Sequence, residues 1–380
     1  MIEDKLYREL QLHLDKLPIG FPATESGVEI DILKYFFNVD EAKAALTLGL
    51  TMSPLWRIKR RYKKKFGYDI DSESLKNILD NLYIKGTIRR SSKAPHKYAN
   101  AFLAIGMFEF HVDDLTPQLI KLMHKYFDEG FKDEFFGSIP QLRTSPHMKA
   151  IVPEHRIDTY DNMREYVKKT KDVIGVANCV CKQGEALLGE KCKVTGDDIE
   201  LCIFFGEGNF LERNRGRLIT KDECLALLDK AEEKGLVIQP GNVKQAFCIC
   251  LCCGCCCGVL ASANKFEKPA ELFATNYYAE IDKDKCNVCG LCVKRCQMEA
   301  ITIVDKHDEL KHAELKPERC IGCGLCVTKC AKKAVSLKRK NKKTKPPMNI
   351  EMLYLSILMR KMDKKKFIIN ILKLMLGMRL

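Results

Sequence analysis

Two stretches near the C-terminal end decide the fold of this region: CNVCGLCVKRC at residues 286–296 and CIGCGLCVTKC at residues 320–330. Both follow the spacing Cys-x2-Cys-x2-Cys-x3-Cys, and each cysteine of the second stretch lies 34 positions after its counterpart. The neighbouring residues repeat as well, because Gly290 and Gly324 both precede Leu-Cys-Val. A duplicated run of closely spaced thiols predicts a small pseudo-symmetric metal-binding unit, which we place at residues 271–338.

The pattern resembles the ligand runs of bacterial-type ferredoxins, which carry two [4Fe–4S] clusters and transfer single electrons. In that family the fourth cysteine of each run ligates the cluster of the other run. The resemblance therefore implies cluster I at Cys286, Cys289, Cys292 and Cys330, and cluster II at Cys320, Cys323, Cys326 and Cys296.

The chain departs from this family after the fourth cysteine, where a proline is usual. Gln297 and Ala331 occupy these positions, which weakens a turn constraint but removes no ligand. Cys-x2-Cys pairs also bind zinc, but two tandem runs with this spacing favour iron–sulfur clusters.

The remaining twelve of the 20 cysteines lie in a second region, for which we predict a cysteine-rich domain at residues 176–270. Seven of them fall within CICLCCGCCC at residues 248–257, a density that core packing does not explain. Adjacent cysteines point in different directions in regular structure, so we do not expect all seven to reach one metal. The candidate ligands of further metal are Cys179, Cys181, Cys192, Cys202, Cys250, Cys252, Cys253, Cys255, Cys256 and Cys257.

The preferred interpretation of this region is at least one additional iron–sulfur cluster. A tetrathiolate zinc site and redox-active thiols that form reversible disulfides are the alternatives, and the sequence does not divide the ligands among them. Cys224 differs from the others. We predict an amphipathic helix that begins at a capping box formed by Thr220 and Glu223 and ends at Lys234. Cys224 lies within this helix, which indicates that it is a core residue rather than a ligand.

Residues 1–105 contain no cysteine and are predicted to form helices followed by strands at 87–90 and 97–103. This order resembles a winged-helix domain, which makes DNA binding a candidate function. However, the helix before the strands carries Asp71, Glu73 and Asp80, and these carboxylates would face phosphates. No specific nucleic acid is therefore favoured as a partner, and we expect a protein-docking or structural role.

Residues 106–175 are predicted to connect the two parts, with a strand at 108–110 and a helix at 116–127. Most of the formal charge of +14 lies beyond them, since residues 338–380 alone carry +11. The basic tail, residues 339–380, contains two apolar segments at 349–359 and 367–378, both too short to cross a membrane. We expect it to contact an acidic redox partner, the body of the protein or, peripherally, an anionic membrane surface.

The N-terminus is charged and no apolar signal segment follows it, which predicts a cytoplasmic protein whose thiols stay reduced. The sequence contains no flavin or nicotinamide fingerprint and no arrangement that indicates a nucleophile with its base. We therefore expect an electron carrier or an electron-transfer subunit, rather than a self-contained enzyme.

Over residues 10–338 the chain resembles the multi-domain 4Fe–4S binding proteins of anaerobic bacteria and archaea. The resemblance rests on LPIGFPATESG at residues 17–27, on CVCK at residues 179–182, on the run that ends at Cys257, and on the ferredoxin repeat. It implies an electron-carrier role, recurrent cysteines at Cys179, Cys181, Cys192 and Cys202, and an additional one at Cys248.

Together these patterns predict an α+β multidomain chain with a winged-helix-like N-terminal domain, a cysteine-rich middle domain and a C-terminal pseudo-symmetric dicluster ferredoxin fold. The expected function is single-electron relay with redox partner proteins, through two ferredoxin-type [4Fe–4S] clusters and a further cluster in the middle domain. A redox-responsive regulator that uses the winged-helix-like domain and an electron-transfer subunit of a larger oxidoreductase are the alternatives.

Overall fold

The computed structural model describes residues 2–151, 157–206, 210–305 and 311–361. The described chain divides into two compact units. Unit one contains the described residues within 1–139, 207–215 and 354–380, and unit two contains those within 140–206 and 216–353. Unit two therefore includes both the cysteine-rich region and the ferredoxin region.

Unit one consists mainly of short helices that bury their apolar faces against one another. Leu10, Ile32 and Leu79 are fully buried in this core. The helices are α1 (Ile2–Leu14), α2 (Val28–Phe36), α3 (Val39–Ala45), α4 (Leu55–Phe66), α5 (Ser72–Lys85), α6 (Pro117–Tyr126) and α7 (Lys132–Phe136).

An antiparallel sheet in the order β1-β3-β2 accompanies these helices, with β1 at Ser53–Pro54, β2 at Ile88–Arg90 and β3 at Lys97–Asn100. The Asp71 carboxylate caps α5, and Gly86 ends that helix with a φ of 100°. The strand predicted at 108–110 is wrong, because the chain there forms a 3₁₀ turn at Glu109–His111. The winged-helix assignment itself stays a prediction.

Unit two is built on a five-stranded antiparallel sheet in the order β6-β4-β5-β8-β7. Its strands are β4 (Ile174–Asn178), β5 (Glu200–Phe205), β6 (Arg217–Ile219), β7 (Val237–Pro240) and β8 (Cys248–Cys252). Its helices are α8 (Met163–Lys169), α9 (Val180–Leu187), α10 (Lys221–Lys234) and α11 (Gly258–Asn264). The predicted capping box of Thr220 and Glu223 starts α10, and Gly235 ends it with a φ of 90°.

The ferredoxin region contains two antiparallel strand pairs, β9 with β12 and β10 with β11. Its elements are β9 (Tyr277–Ile281), α12 (Leu291–Arg295), β10 (Ile301–Val304), β11 (His312–Leu315) and β12 (Val335–Arg339). A buried ion pair between Arg143 and Asp161 lies near this region, and Asn276 donates a hydrogen bond of 2.7 Å to the same carboxylate.

The tail contains α13 (Ile350–Lys361), which covers the first predicted apolar segment, whereas the second, at 367–378, lies outside the described residues. Within the part of the chain that the structure describes, no helix has the length and apolar character needed to cross a membrane.

Candidate metal centres

The two ferredoxin cysteine runs adopt the same backbone path. Three pairs of positions, each 34 residues apart, have positive φ: Val288 and Gly322 at 58° and 68°, Gly290 and Gly324 at 72° and 78°, and Glu299 and Lys333 both at 52°. Positive φ is rare for a β-branched residue such as Val288. The repeat of these conformations indicates that both runs wrap around equivalent sites. At Gly322 a side chain is also excluded by space, since a Cβ would lie 2.2 Å from the carbonyl oxygen of Tyr277.

One of these sites is a small apolar cavity that four cysteines line together. Three of them, Cys320, Cys323 and Cys326, come from the second run, and the fourth is Cys296 from the first run. Burial raises the pKa of Cys323 to about 12, and it also raises the pKa of Cys326 well above the ordinary value. Four converging thiols in an apolar cavity suit a metal cluster that replaces their protons.

The cysteines of the first run lie around the same apolar core as those of the second. Cys286 and Cys292 pack against it, as does Cys330 from the second run, whereas Cys289 is exposed. Burial raises the pKa of Cys292. The structure thus places six of the eight predicted ferredoxin ligands around one small core, and Cys323 lines the adjoining cavity.

Backbone N–H groups point at several of these sulfurs and follow the same pseudo-symmetry. Ala279 donates to Cys320 Sγ and Ala313 donates to Cys286 Sγ, each at 3.4 Å, and these two donors are also 34 positions apart. Ala300 donates to Cys296 Sγ at 3.2 Å. Hydrogen bonds of this kind stabilise a charged sulfur and set the reduction potential of a cluster bound to it.

Four cysteines of the cysteine-rich region form a compact thiol group: Cys192, Cys253, Cys255 and Cys256. Their sulfur atoms all lie within 4.8 Å of one another. Cys192 Sγ lies 3.8 Å from Cys253 Sγ and 3.9 Å from Cys255 Sγ. Cys255 Sγ lies 3.4 Å from Cys253 Sγ and 3.5 Å from Cys256 Sγ. Cys255 is the most exposed member of the group.

A buried lysine points into the compact thiol group. Lys182 Nζ donates hydrogen bonds to Cys192 Sγ at 2.9 Å and to Cys253 Sγ at 3.0 Å, and the residue is only 2% exposed. The pKa of Cys253 falls to about 4, mainly through the hydrogen bond from Cys256 and further through the Lys182 ammonium. The sequence interpretation missed Lys182 as a site residue, although it directly follows Cys179-Val-Cys181.

Seven other cysteines form an extended thiol group, in which neighbouring thiols interact in a chain rather than pack around one point. The contacts run from Cys179 to Cys181, then to Cys257, Cys252 and Cys250, and Cys250 also contacts Cys202 and Cys248. Cys202 and Cys250 are register partners on β5 and β8. Hydrogen bonds from Cys202 and its other neighbours hold the pKa of Cys250 well below the ordinary range, and the bond from Cys181 lowers that of Cys257 to about 6.

The ten further ligands predicted from the sequence therefore divide, four into the compact group and six into the extended group, which Cys248 joins as a seventh member. Cys224 belongs to neither, because its side chain is fully buried in the hydrophobic core, as its helix predicts. Burial alone raises its pKa to about 12.

Gln297 connects the ferredoxin region to the loop that carries the cysteines of both groups. Its Oε1 accepts a hydrogen bond of 2.7 Å from the backbone N–H of Gly254, and its Nε2 donates one of 2.9 Å to the carbonyl oxygen of Gly235. A Cβ on Gly254 would lie 2.5 Å from the Gln297 carbonyl oxygen, so the two backbones touch. Arg295 adds hydrogen bonds to the carbonyl oxygens of Glu232 and Glu233 at the end of α10. Gln297, which replaces the proline of the ferredoxin pattern, thus forms a contact between the two regions.

Residues 285–334 match the family model described as a 4Fe-4S dicluster domain. Comparison with curated proteins gave no match, and comparison with solved structures gave none either. The match indicates that this part of the chain holds [4Fe–4S] clusters and, with the cysteine groups, supports an iron–sulfur electron-transfer role. The cysteine-rich region provides thiols for an additional centre.

Proposed function

We propose that this protein is a cytoplasmic electron carrier. In this proposal it relays single electrons between the ferredoxin clusters and a further cluster in the cysteine-rich region. The contact between Gln297 and Gly254 carries the proposal. Gln297 directly follows Cys296 at the predicted cluster II, and Gly254 lies in the cysteine loop at residues 252–257. The Gln297 side chain thus contributes directly to the contact between the two cysteine regions.

The proposed ligands of cluster I are Cys286, Cys289, Cys292 and Cys330, and those of cluster II are Cys320, Cys323, Cys326 and Cys296. The cavity shared by the second set supports the crossed arrangement, since it is lined by Cys296 and not by Cys330. A bound [4Fe–4S] cluster accepts and returns one electron at a time. The residues of this chain supply an apolar lining and N–H donors to the sulfurs, and these features tune the potential at which the electron moves.

The proposed partners are redox proteins with acidic surfaces, bound through the basic tail. Residues 338–380 carry +11 of the formal charge, whereas the first 337 residues carry +3, so an anionic partner would be drawn to the tail. A peripheral membrane contact is the alternative for the same charges. Binding to neutral and anionic vesicles at low and physiological salt separates these alternatives.

The regulator hypothesis receives less support from α5, the helix that would enter a DNA groove. Its carboxylates are engaged within unit one: Asp80 accepts hydrogen bonds from Arg90 and Tyr98, and Asp71 caps the helix. DNA affinity that changes with cluster oxidation at low salt would favour the regulator instead. A catalytic chain that co-purifies under anaerobic conditions would favour the subunit hypothesis.

The test is a reductive titration of the anaerobically purified chain, followed by electron paramagnetic resonance. We expect reduced [4Fe–4S] signals, and we expect Cys323→Ser to remove one of them. Cys224→Ala is the matched control, because it changes a buried cysteine outside every thiol group and should leave the signals intact. A wild-type chain that holds no iron and sulfide would contradict the proposal.

A further inference from the structure

Strand alternation separates the compact group from the β8 cysteines of the extended group, although Cys179 packs against the same core as the compact group. Successive side chains of a strand point to opposite faces, so Cys248, Cys250 and Cys252 of β8 share one face, and Ile249 and Leu251 share the other. Ile249 and Leu251 belong to the hydrophobic core that also contains three members of the compact group, namely Cys192, Cys253 and Cys256. The compact group therefore lies on the core side of β8, and the β8 cysteines of the extended group lie on the opposite side.

The compact group has the dimensions of a site for one ion. Four thiolates at about 2.3 Å from a zinc ion form a tetrahedron with edges of about 3.8 Å. Four of the six sulfur–sulfur distances are 3.4, 3.5, 3.8 and 3.9 Å, which lie around this value, and all six are within 4.8 Å. In a [4Fe–4S] cluster each thiolate binds a different iron, and the four sulfurs therefore lie farther apart than around one ion.

A buried cation compensates the charge of the compact group. Four thiolates around Zn²⁺ leave a net charge of −2, which is costly in a buried setting unless it is compensated. Lys182 supplies one positive charge, and its ammonium bonds directly to two of the four sulfurs. A buried cation aimed at these sulfurs is an observation, independent of the cysteine spacing, that indicates bound thiolates at this point.

The ferredoxin region provides an internal comparison for the extended group. Among the described residues, the compact group is the only set of three or more potential ligands whose donor atoms all lie within 4.8 Å of one another. The eight ferredoxin cysteines, which lie in the stretch that matches a 4Fe-4S dicluster domain, form no such set. The extended group likewise contains no such compact set among its described cysteines. It also has seven thiols, whereas one tetrahedral ion binds four.

We propose that unit two holds two separate metal sites outside the ferredoxin repeat. The first is a zinc ion bound by Cys192, Cys253, Cys255 and Cys256, with Lys182 as the charge-compensating residue. The second is an iron–sulfur cluster bound by thiols of the extended group, and this half rests on the proposed electron-transfer function. The zinc ion is structural: it fixes the loop at residues 252–257 against Gln297 and so positions the extended group beside the ferredoxin region.

The test uses the full chain, produced with both metals in the medium and purified without oxygen. Mass spectrometry should give about one zinc per chain, and iron and acid-labile sulfide should give about twelve of each. Zinc X-ray absorption should show four sulfur ligands at about 2.3 Å. Cys255→Ser should remove the zinc and leave the eight ferredoxin irons, whereas Cys250→Ser should remove about four irons and leave the zinc. The control Cys224→Ala should retain both metals.

Each half of the proposal can fail separately. Absence of zinc from the wild type, or one zinc per chain retained in Cys255→Ser, would overturn the zinc assignment, and a mononuclear iron site would do the same. About eight irons in both the wild type and Cys250→Ser would overturn the extended site and leave the ferredoxin clusters standing. Absence of all iron would instead contradict the proposed function. Zinc that is retained in Cys250→Ser shows that this variant still folds, because the compact group can bind zinc only when the loop at residues 252–257 is folded.

Discussion

Replacement of Gln297 by alanine tests the contact that joins the ferredoxin region to the cysteine loop. The change removes the 2.7 Å hydrogen bond to the Gly254 N–H and the 2.9 Å hydrogen bond to the Gly235 carbonyl oxygen. Each bond contributes roughly 0.5–1.5 kcal/mol net, so the local stability of the contact should fall by about 2 kcal/mol.

Hydrogen exchange measures this loss directly, because the Gly254 amide is itself the donor. A decrease of about 2 kcal/mol in opening free energy corresponds to roughly 30-fold faster exchange in the loop at residues 252–257. The measurement avoids global unfolding, which is not two-state in a protein with bound metals.

Ala331 provides the matched control, since it occupies the pseudo-equivalent position and is exposed. Ala331→Gln should leave exchange in the loop unchanged. Equal exchange rates in Gln297→Ala and the wild type would refute the inference that this side chain holds the loop.

Three further predictions follow from named contacts. Gly254→Ala should destabilise the loop by about 1–3 kcal/mol, because the new Cβ would meet the Gln297 carbonyl oxygen at 2.5 Å; unchanged loop exchange would contradict this. Lys182→Met should speed zinc release to a chelator by about 10–100-fold while the thiols stay in place, and Lys182→Arg should speed it less. Equal release rates in Lys182→Met and the wild type would exclude the proposed charge compensation. His111 is buried with its pKa lowered to about 4, so acid should destabilise unit one. Its neutral ring contributes fully above an unfolded pKa of about 6.5, and about 3 kcal/mol is lost as the pH falls to about 4. Hydrogen exchange at residues 103–126 should show this loss, and His111→Phe should flatten the pH dependence.

Several local features could be predicted from the sequence because they depend on neighbouring residues. The spacing of the ferredoxin runs indicates clusters, since the ligands of each run lie within eleven residues of one another. The capping box of Thr220 and Glu223 and the stop at Gly235 were predicted for the same reason. The strand predicted at 108–110 failed because alternating apolar residues over so short a stretch also suit a 3₁₀ turn.

The division of the middle cysteines depended on contacts distant in sequence. Cys192 joins Cys253 across 61 positions, and no spacing rule indicates this pairing. The alternation in CICLC did carry a signal, because it places Cys248, Cys250 and Cys252 on one strand face. Gln297 was also visible in the sequence as a departure from the proline of the ferredoxin pattern. Its contacts with Gly254 and Gly235 could be identified only from the fold.

We propose that a redox centre in the cysteine-rich region exchanges electrons with the ferredoxin clusters. Spin quantitation by electron paramagnetic resonance during full reduction of the anaerobic protein, compared with Cys250→Ser, measures this directly. We expect a further paramagnetic centre beyond the two ferredoxin clusters, with signals broadened by magnetic interaction, and loss of both features in the variant. Two spins per chain in both proteins, with identical line shapes, would contradict it.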